Sequence, residues 1–199
     1  MTQFWWIRHA PVIGNNNCCY GNNEVDCDTS DIKSFKKLVE KLPLNFVVFS
    51  SPLGRALETY FKVSNLRNLP KNFHIIDNRL SEQDLGTWVG MKYDDLEKKT
   101  KQLGVYDNNW LMDAKFKPPK GESFLNLKKR VSQFINDILL KYKNTNIVIF
   151  SHGGPIRAAI SLALNIEDEK VLPMTIDNTK LTRIDYDKDN KSIIRFVNT

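Results

Sequence analysis

Three apolar runs in this chain each end on residues able to handle phosphate. Residues 4–7 lead into Arg8-His9, residues 46–49 into Ser50-Ser51 and then Arg55, and residues 147–150 into Ser151-His152-Gly153-Gly154. A neutral imidazole aimed in line can attack phosphorus once the phosphoryl charge is offset. Arginine suits that offset, because its guanidinium fork matches phosphate oxygens and stays charged at any useful pH. A second histidine can donate to the equatorial oxygens, whose charge must be stabilised through the transition state. Gly153 and Gly154 let the backbone approach an anion, and Pro155 suits the first position of a following helix, whose N-terminus favours negative charge. His9, Arg8, Arg55 and His152 therefore make a coherent phosphate pocket if the three runs are neighbours. A leaving alkoxide also needs a proton. Glu82, in the segment Leu80-Ser81-Glu82-Gln83-Asp84-Leu85-Gly86, is the natural donor, with Asp84 the competing carboxylate.

The elements that must position these groups are legible in the hydrophobic pattern. Residues 4–7, 46–49, 73–76 and 147–150 read as buried strands. Ile32, Phe35, Leu38, Val39 and Leu42 recur at helical spacing, with Thr29 or Ser30 as the cap and Pro43 as the stop. Further helices are predicted over 53–63, 93–101 and 155–164. The longest begins after Gly121, where Phe124, Leu127, Val131, Phe134, Ile135, Ile138, Leu139 and Tyr142 hold one apolar face. The Gly121-Glu122-Ser123 step before it reads as helix initiation. Residues 181–186 and 192–197 alternate as a terminal hairpin, with Asp189-Asn190 in the turn. Strand, helix, strand, helix in this order predicts an α/β sandwich with a mostly parallel sheet. In such sheets the binding crevice lies at the carboxyl ends of the strands, where the candidate residues stand. Residues 10–30, rich in Asn, Gly, Cys and Asp, read as a long loop of the functional kind. Residues 79–121 read as a cap-like excursion over the sheet, so the 199 residues are expected to form one domain. Trp5 and Trp6 are expected to pack on opposite faces of a strand, Trp88 and Trp110 to pack in the core or cap, and His74 to be structural within its strand. Asn178, before the hairpin, is expected to help orient the site.

Composition narrows the partners. Hydrophobic residues make up 41% of the chain, ordinary for a globular protein, and the net charge of +6 points to an anionic partner. Lysines and arginines lie scattered beside acids, as in Asp94-Asp95-Leu96-Glu97-Lys98-Lys99, and no basic arm or aromatic-studded basic stripe is present. A small phosphorylated molecule is therefore favoured over nucleic acid. Cys18, Cys19 and Cys27 are odd in number, lie in one loop and lack zinc spacing, which reads as reduced thiols. No apolar run approaches membrane-spanning length, so a cytoplasmic location without membrane binding is expected.

The segments above, taken in order, resemble the histidine phosphatase superfamily, which also contains the cofactor-dependent phosphoglycerate mutases. Ile7-Arg8-His9-Ala10 is similar to its nucleophile motif, and the run from Ser50 to Thr59 to its second phosphate-binding motif. Leu80-Ser81-Glu82 with Gly86-Thr87-Trp88-Val89-Gly90 resembles the acid-bearing segment, and Ser151-His152-Gly153-Gly154 the motif of the second histidine. The opening Trp5-Trp6-Ile7-Arg8-His9-Ala10-Pro11-Val12 looks most like bacterial members related to α-ribazole phosphatase. The resemblance implies a three-layer α/β/α sandwich, nucleophile His9, phosphate ligands Arg8, Arg55 and His152, and proton donor Glu82. It also implies a phosphate-contacting side chain near Asn15, where Asn16 and Asn17 compete. Ala10 departs from the glycine usual after the histidine.

The leading expectation is a phosphomonoesterase that works through a phosphohistidine and needs no metal or cofactor, possible substrates including α-ribazole phosphate. A mutase would use the same chemistry at His9 and differ in how well the cap excludes water. A non-catalytic phospho-ligand module would be expected to lack one of His9, Arg55, Glu82 or His152, and all four are present.

Overall fold

Residues 1–14, 17–70, 73–102 and 113–199 are described by a computed structural model of the chain. In order, the elements are β1 (Thr2–Arg8), α1 (Ile32–Lys41), β2 (Val47–Ser50), α2 (Gly54–Arg67), β3 (Ile75–Ile76) and α3 (Tyr93–Gln102). Then come α4 (Phe124–Lys141), β4 (Asn146–Ser151), α5 (Gly153–Leu164), α6 (Asp168–Val171), β5 (Leu181–Tyr186) and β6 (Ser192–Phe196). Single 3-10 turns at Asn78–Leu80 and Gly86–Trp88 mark the acid-bearing segment. Among the described residues no helix is long and apolar enough to cross a membrane.

The strands form one sheet in the order β3-β2-β4-β1-β5-β6. β3, β2, β4 and β1 run parallel, and β5 and β6 continue antiparallel to β1 as the terminal hairpin. The inner strands are apolar on both faces because helices cover both, as a parallel sheet requires. Phe4, Trp6, Ile147 and Ile149 point toward α4 and α5. Trp5, Ile7, Val148 and Phe150 point to the other face, where Phe35 and Leu38 of α1 and Tyr60 and Val63 of α2 meet them. The fold is thus a three-layer α/β/α sandwich, and the two tryptophans part to its two faces as their alternation predicts.

Local departures from the predicted elements have simple causes. Asp31, not Thr29 or Ser30, caps α1, its carboxylate accepting from the Ser34 N–H at 3.0 Å. Pro155 occupies the third position of α5 rather than the first, because the helix already begins at Gly153. α2 runs on to Arg67 and ends where Asn68 takes a left-handed φ of 52°. β3 is reduced to two residues at the sheet edge, so His74 precedes the strand and instead stacks near Tyr60, 4.4 Å between ring centres. The hairpin turn holds Asn190 at a φ of 61°. Trp88 is fully buried in a small cluster with Cys19, Leu85 and Leu96, while Trp110 lies outside the described residues.

α4 starts on a capping box: the Ser123 hydroxyl accepts from the Asn126 N–H, and the Asn126 carbonyl oxygen accepts from the Ser123 N–H, both at 3.2 Å. This cap fixes the start of the helix that, with α5, covers one face of the sheet. Ser123→Ala is expected to cost about 1 kcal/mol and to lower the urea midpoint measurably, with the slope of the transition unchanged.

Candidate active site

Strand register brings the three strand ends level. β1 pairs with β4 through Arg8 opposite Ser151, and β2 pairs with β4 through Ser50 opposite Phe150. The ladder continues one residue further, with the His9 N–H donating to the Ser151 carbonyl at 3.0 Å and the Ser51 N–H to the Phe150 carbonyl at 2.9 Å. α1, which follows β1, and α5, which follows β4, lie on opposite faces, so the crevice opens between these two strands. His9 and His152 meet there, both fully buried, with ring centres 5.1 Å apart.

The His9 ring is held in one tautomer. Its Nδ1 lies 2.7 Å from the Ala10 carbonyl, which can only accept, so Nδ1 carries the proton. Nε2 is left with its lone pair, buried and without a hydrogen-bond partner. The Ala10 N–H donates to Thr59 Oγ1 at 2.8 Å, and Asn178 Nδ2 donates to the His9 carbonyl at 2.8 Å. Asn178 thus orients the loop after β1, as its position before the hairpin predicts. Ala10 takes no left-handed φ, so the methyl group beside His9 brings no backbone strain.

Positive charge surrounds the pair. Arg55 donates from Nη1 to the Asn23 carbonyl and from Nη2 to the Gly21 carbonyl, both at 2.7 Å, and its Nε is buried and unpartnered. Arg8 donates from Nη1 to the Ile176 carbonyl, and its Nε is likewise unpartnered. His152 shares a 2.8 Å hydrogen bond between Nε2 and the Ser51 hydroxyl. When Ser51 donates, the proton of neutral His152 sits on Nδ1, which has no other partner. Burial, then the charges of Arg55 and Arg8, lowers the pKa of His9 to about 3 against the pull of its bond to Ala10. Burial, then His9 and Arg55, holds His152 well below the ordinary histidine range. Both rings are therefore neutral at physiological pH.

Glu82 joins them from the segment after β3. Its Oε1 accepts from the Gly154 N–H at 3.1 Å and its Oε2 from the same group at 3.3 Å, at the N-terminus of α5. A Cβ at Gly154 would collide with this carboxylate, which is why the position needs glycine. Asp84 is spent locally, accepting from the Gly86 N–H at 2.8 Å to close the following 3-10 turn. Arg130 of α4 clamps the segment: it donates to the carbonyls of Arg79 and Ser81 at 2.7 Å and of Glu82 at 3.1 Å, and meets the Glu122 carboxylate at 2.6 Å. Beyond Glu82 opens a cavity of about 200 Å³, with Cys19, Tyr20, Tyr93 and Arg157 in its wall.

Of the residues predicted from sequence, Arg8, His9, Arg55, Glu82 and His152 converge on this crevice, and Asn15 lies outside the described residues. Ser51, Thr59, Arg130 and Arg157 were not predicted to act there. For Arg157 a signal existed, since it sits one helical turn after Gly153. Arg130 had none, because its partners are about 50 residues away in the chain. Among the described residues no group of three or more His, Cys, Asp or Glu side chains is placed to hold a metal ion.

Two outcomes follow for this geometry. Between pH 6.5 and about 3 the unfolded chain binds a proton that folded His9 refuses, so stability rises with pH across that window. Urea unfolding should lose about 1.4 kcal/mol per pH unit from His9 alone as pH falls, and His9→Asn should remove that share of the slope. Arg130→Met should lower the urea midpoint, by about 1–3 kcal/mol of stability, because it strips the Glu122 carboxylate and three carbonyls of their shared donor.

Comparison with known proteins agrees with the geometry. The family model of the histidine phosphatase superfamily (branch 1) matches residues 4–199. The chain is 30% identical over 151 residues to a bifunctional protein of Mycobacterium tuberculosis, covering 76% of this chain and 40% of that protein. It therefore spans about two fifths of the length of that relative. It is 26% identical over 199 residues to phosphoserine phosphatase 1 of Hydrogenobacter thermophilus, covering 98% of this chain and 92% of that one. The solved structure of the α-ribazole phosphatase from Shigella flexneri matches with a TM-score of 0.81 at 25% identity, over 99% of this chain and 96% of the other. A match that takes in every strand end carrying the site places the chain in the histidine phosphatase superfamily.

Proposed function

We propose that this protein is a metal-independent phosphomonoesterase that transfers the phosphoryl group of a small phosphorylated metabolite to His9 and then to water. The observation that carries the reading is His9 Nε2: buried, neutral and unpartnered, with its other nitrogen tied to Ala10. Nε2 attacks phosphorus as the ester P–O bond breaks. Arg8, Arg55 and the second imidazole, His152, stabilise the equatorial oxygens. Glu82 gives its proton to the departing alkoxide, then takes one from the water that cleaves the phosphohistidine. The described parts of the 79–121 stretch, residues 79–102 and 113–121, serve in this reading as the cap over the site within a single catalytic domain. The named activities of the relatives support this reading: phosphoserine phosphatase in one and α-ribazole phosphatase in another. Both substrates are therefore candidates here.

The test is release of phosphate from an aryl phosphate in excess chelator. His9→Ala should lower the rate by about 10³-fold or more, and native protein quenched during turnover should carry an acid-labile, alkali-stable phosphoryl group. Activity retained by His9→Ala would overturn the mechanism.

A further inference from the structure

The site contains one more cation than the phosphoryl chemistry uses. Arg157 lies on α5, and its Nε donates to the Met174 carbonyl at 2.8 Å, which anchors one edge of the guanidinium. A Cβ at Gly153 would stand 3.2 Å from Arg157 Nη1 and 3.9 Å from Arg8 Nε, so the two guanidinium groups flank the α5 N-terminus. Arg157 also lines the 200 Å³ cavity beside Glu82. Its remaining edge has no carboxylate within ion-pair distance among the described residues. Arg79, Arg130, Arg183 and Arg195 all have one. The other guanidinium groups at the site that lack one, Arg8 and Arg55, face the phosphoryl position. Burial works against the charge of Arg157, and Glu82, near but not paired, works for it. A half-buried cation with an open fork in a cavity wall calls for an anion.

We propose that Arg157 binds a carboxylate on the leaving group, so that the preferred substrates are compact phosphomonoesters of hydroxy acids. This rests on the phosphatase reading above and deepens it. A carboxylate fits better than a second phosphate, because one anchored guanidinium offers a single two-pronged edge, which a carboxylate satisfies completely. A cavity of about 200 Å³ accommodates a leaving group of a few carbon atoms.

The experiment compares matched pairs that differ in the carboxylate: O-phosphoserine against O-phosphoethanolamine, and 3-phosphoglycerate against glycerol 3-phosphate. Native enzyme should prefer the acid of each pair by about 10- to 100-fold in kcat/KM. Arg157→Gln should bring that ratio close to one, chiefly through the KM of the acids, and Arg157→Lys should restore part of it. Circular dichroism checks that both variants are folded. Equal use of both members by native enzyme, or an equal loss for both members in Arg157→Gln, would overturn the assignment. Ligand-induced thermal shifts of the same pairs provide a readout independent of turnover. If native protein releases no phosphate even from an aryl phosphate, the phosphatase reading falls. The difference in thermal shift between acid and non-acid, native against Arg157→Gln, then still decides the role of Arg157.

Discussion

His9 remains neutral because it is buried beside two guanidinium groups, and most of the surrounding contacts hold those groups in place. Like charges packed together at a sheet end would push apart if their side chains were free. Instead Arg55 is tied to two carbonyls of the loop after β1, and Arg8 to a carbonyl before the terminal hairpin. Backbone oxygens are suited to this task. They orient a guanidinium without neutralising it, whereas a carboxylate would consume the charge that an incoming phosphoryl group needs. The long loop after β1 and the segment before β5 therefore do more than connect elements.

Four arginines away from the crevice follow another rule. Arg183 and Arg195 share the buried Asp185, and Arg79 is held by Asp77 and Asp137. Arg130 meets Glu122 and three carbonyls, which fixes the segment carrying Glu82. At these four the charge is cancelled by a carboxylate, whereas Arg67, tied to the Val39 and Leu42 carbonyls, is held as Arg8 and Arg55 are.

Much of this arrangement was legible in the sequence. The strand-end residues His9, Arg55 and His152 could be placed together because an apolar run of four to six residues marks a buried strand, and parallel strands present their carboxyl ends on one side. The apolar face of α4 is buried from Phe124 to Ile138 because its period of 3.6 runs the length of the helix, while Leu139 and Tyr142, at and beyond its end, are only partly covered. What escaped was set by contacts distant in sequence. Nothing local to Arg130 or Thr59 shows that one clamps the acid and the other supports the Ala10 amide. Glu82 and Asp84 differ in role only because the fold delivers one to the α5 N-terminus and spends the other on a turn. The cap of α1 was misplaced because Thr29, Ser30 and Asp31 are all good capping residues, and only the chain path selects among them.

The ladder between β1 and β4 extends through His9, and this limits how the protein can change length. One residue inserted in β1 would move the imidazole by roughly 3.3 Å and turn it to the opposite face of the sheet, away from His152. The strands and the short steps after them are therefore closed to insertions and deletions. The long stretches between β1 and α1, and between β3 and α4, carry isolated bridges rather than a continuous ladder, and only the residues that hold Arg55 and Glu82 are fixed in place there. Elsewhere in them the chain can be lengthened or recast while the His9 imidazole keeps its address.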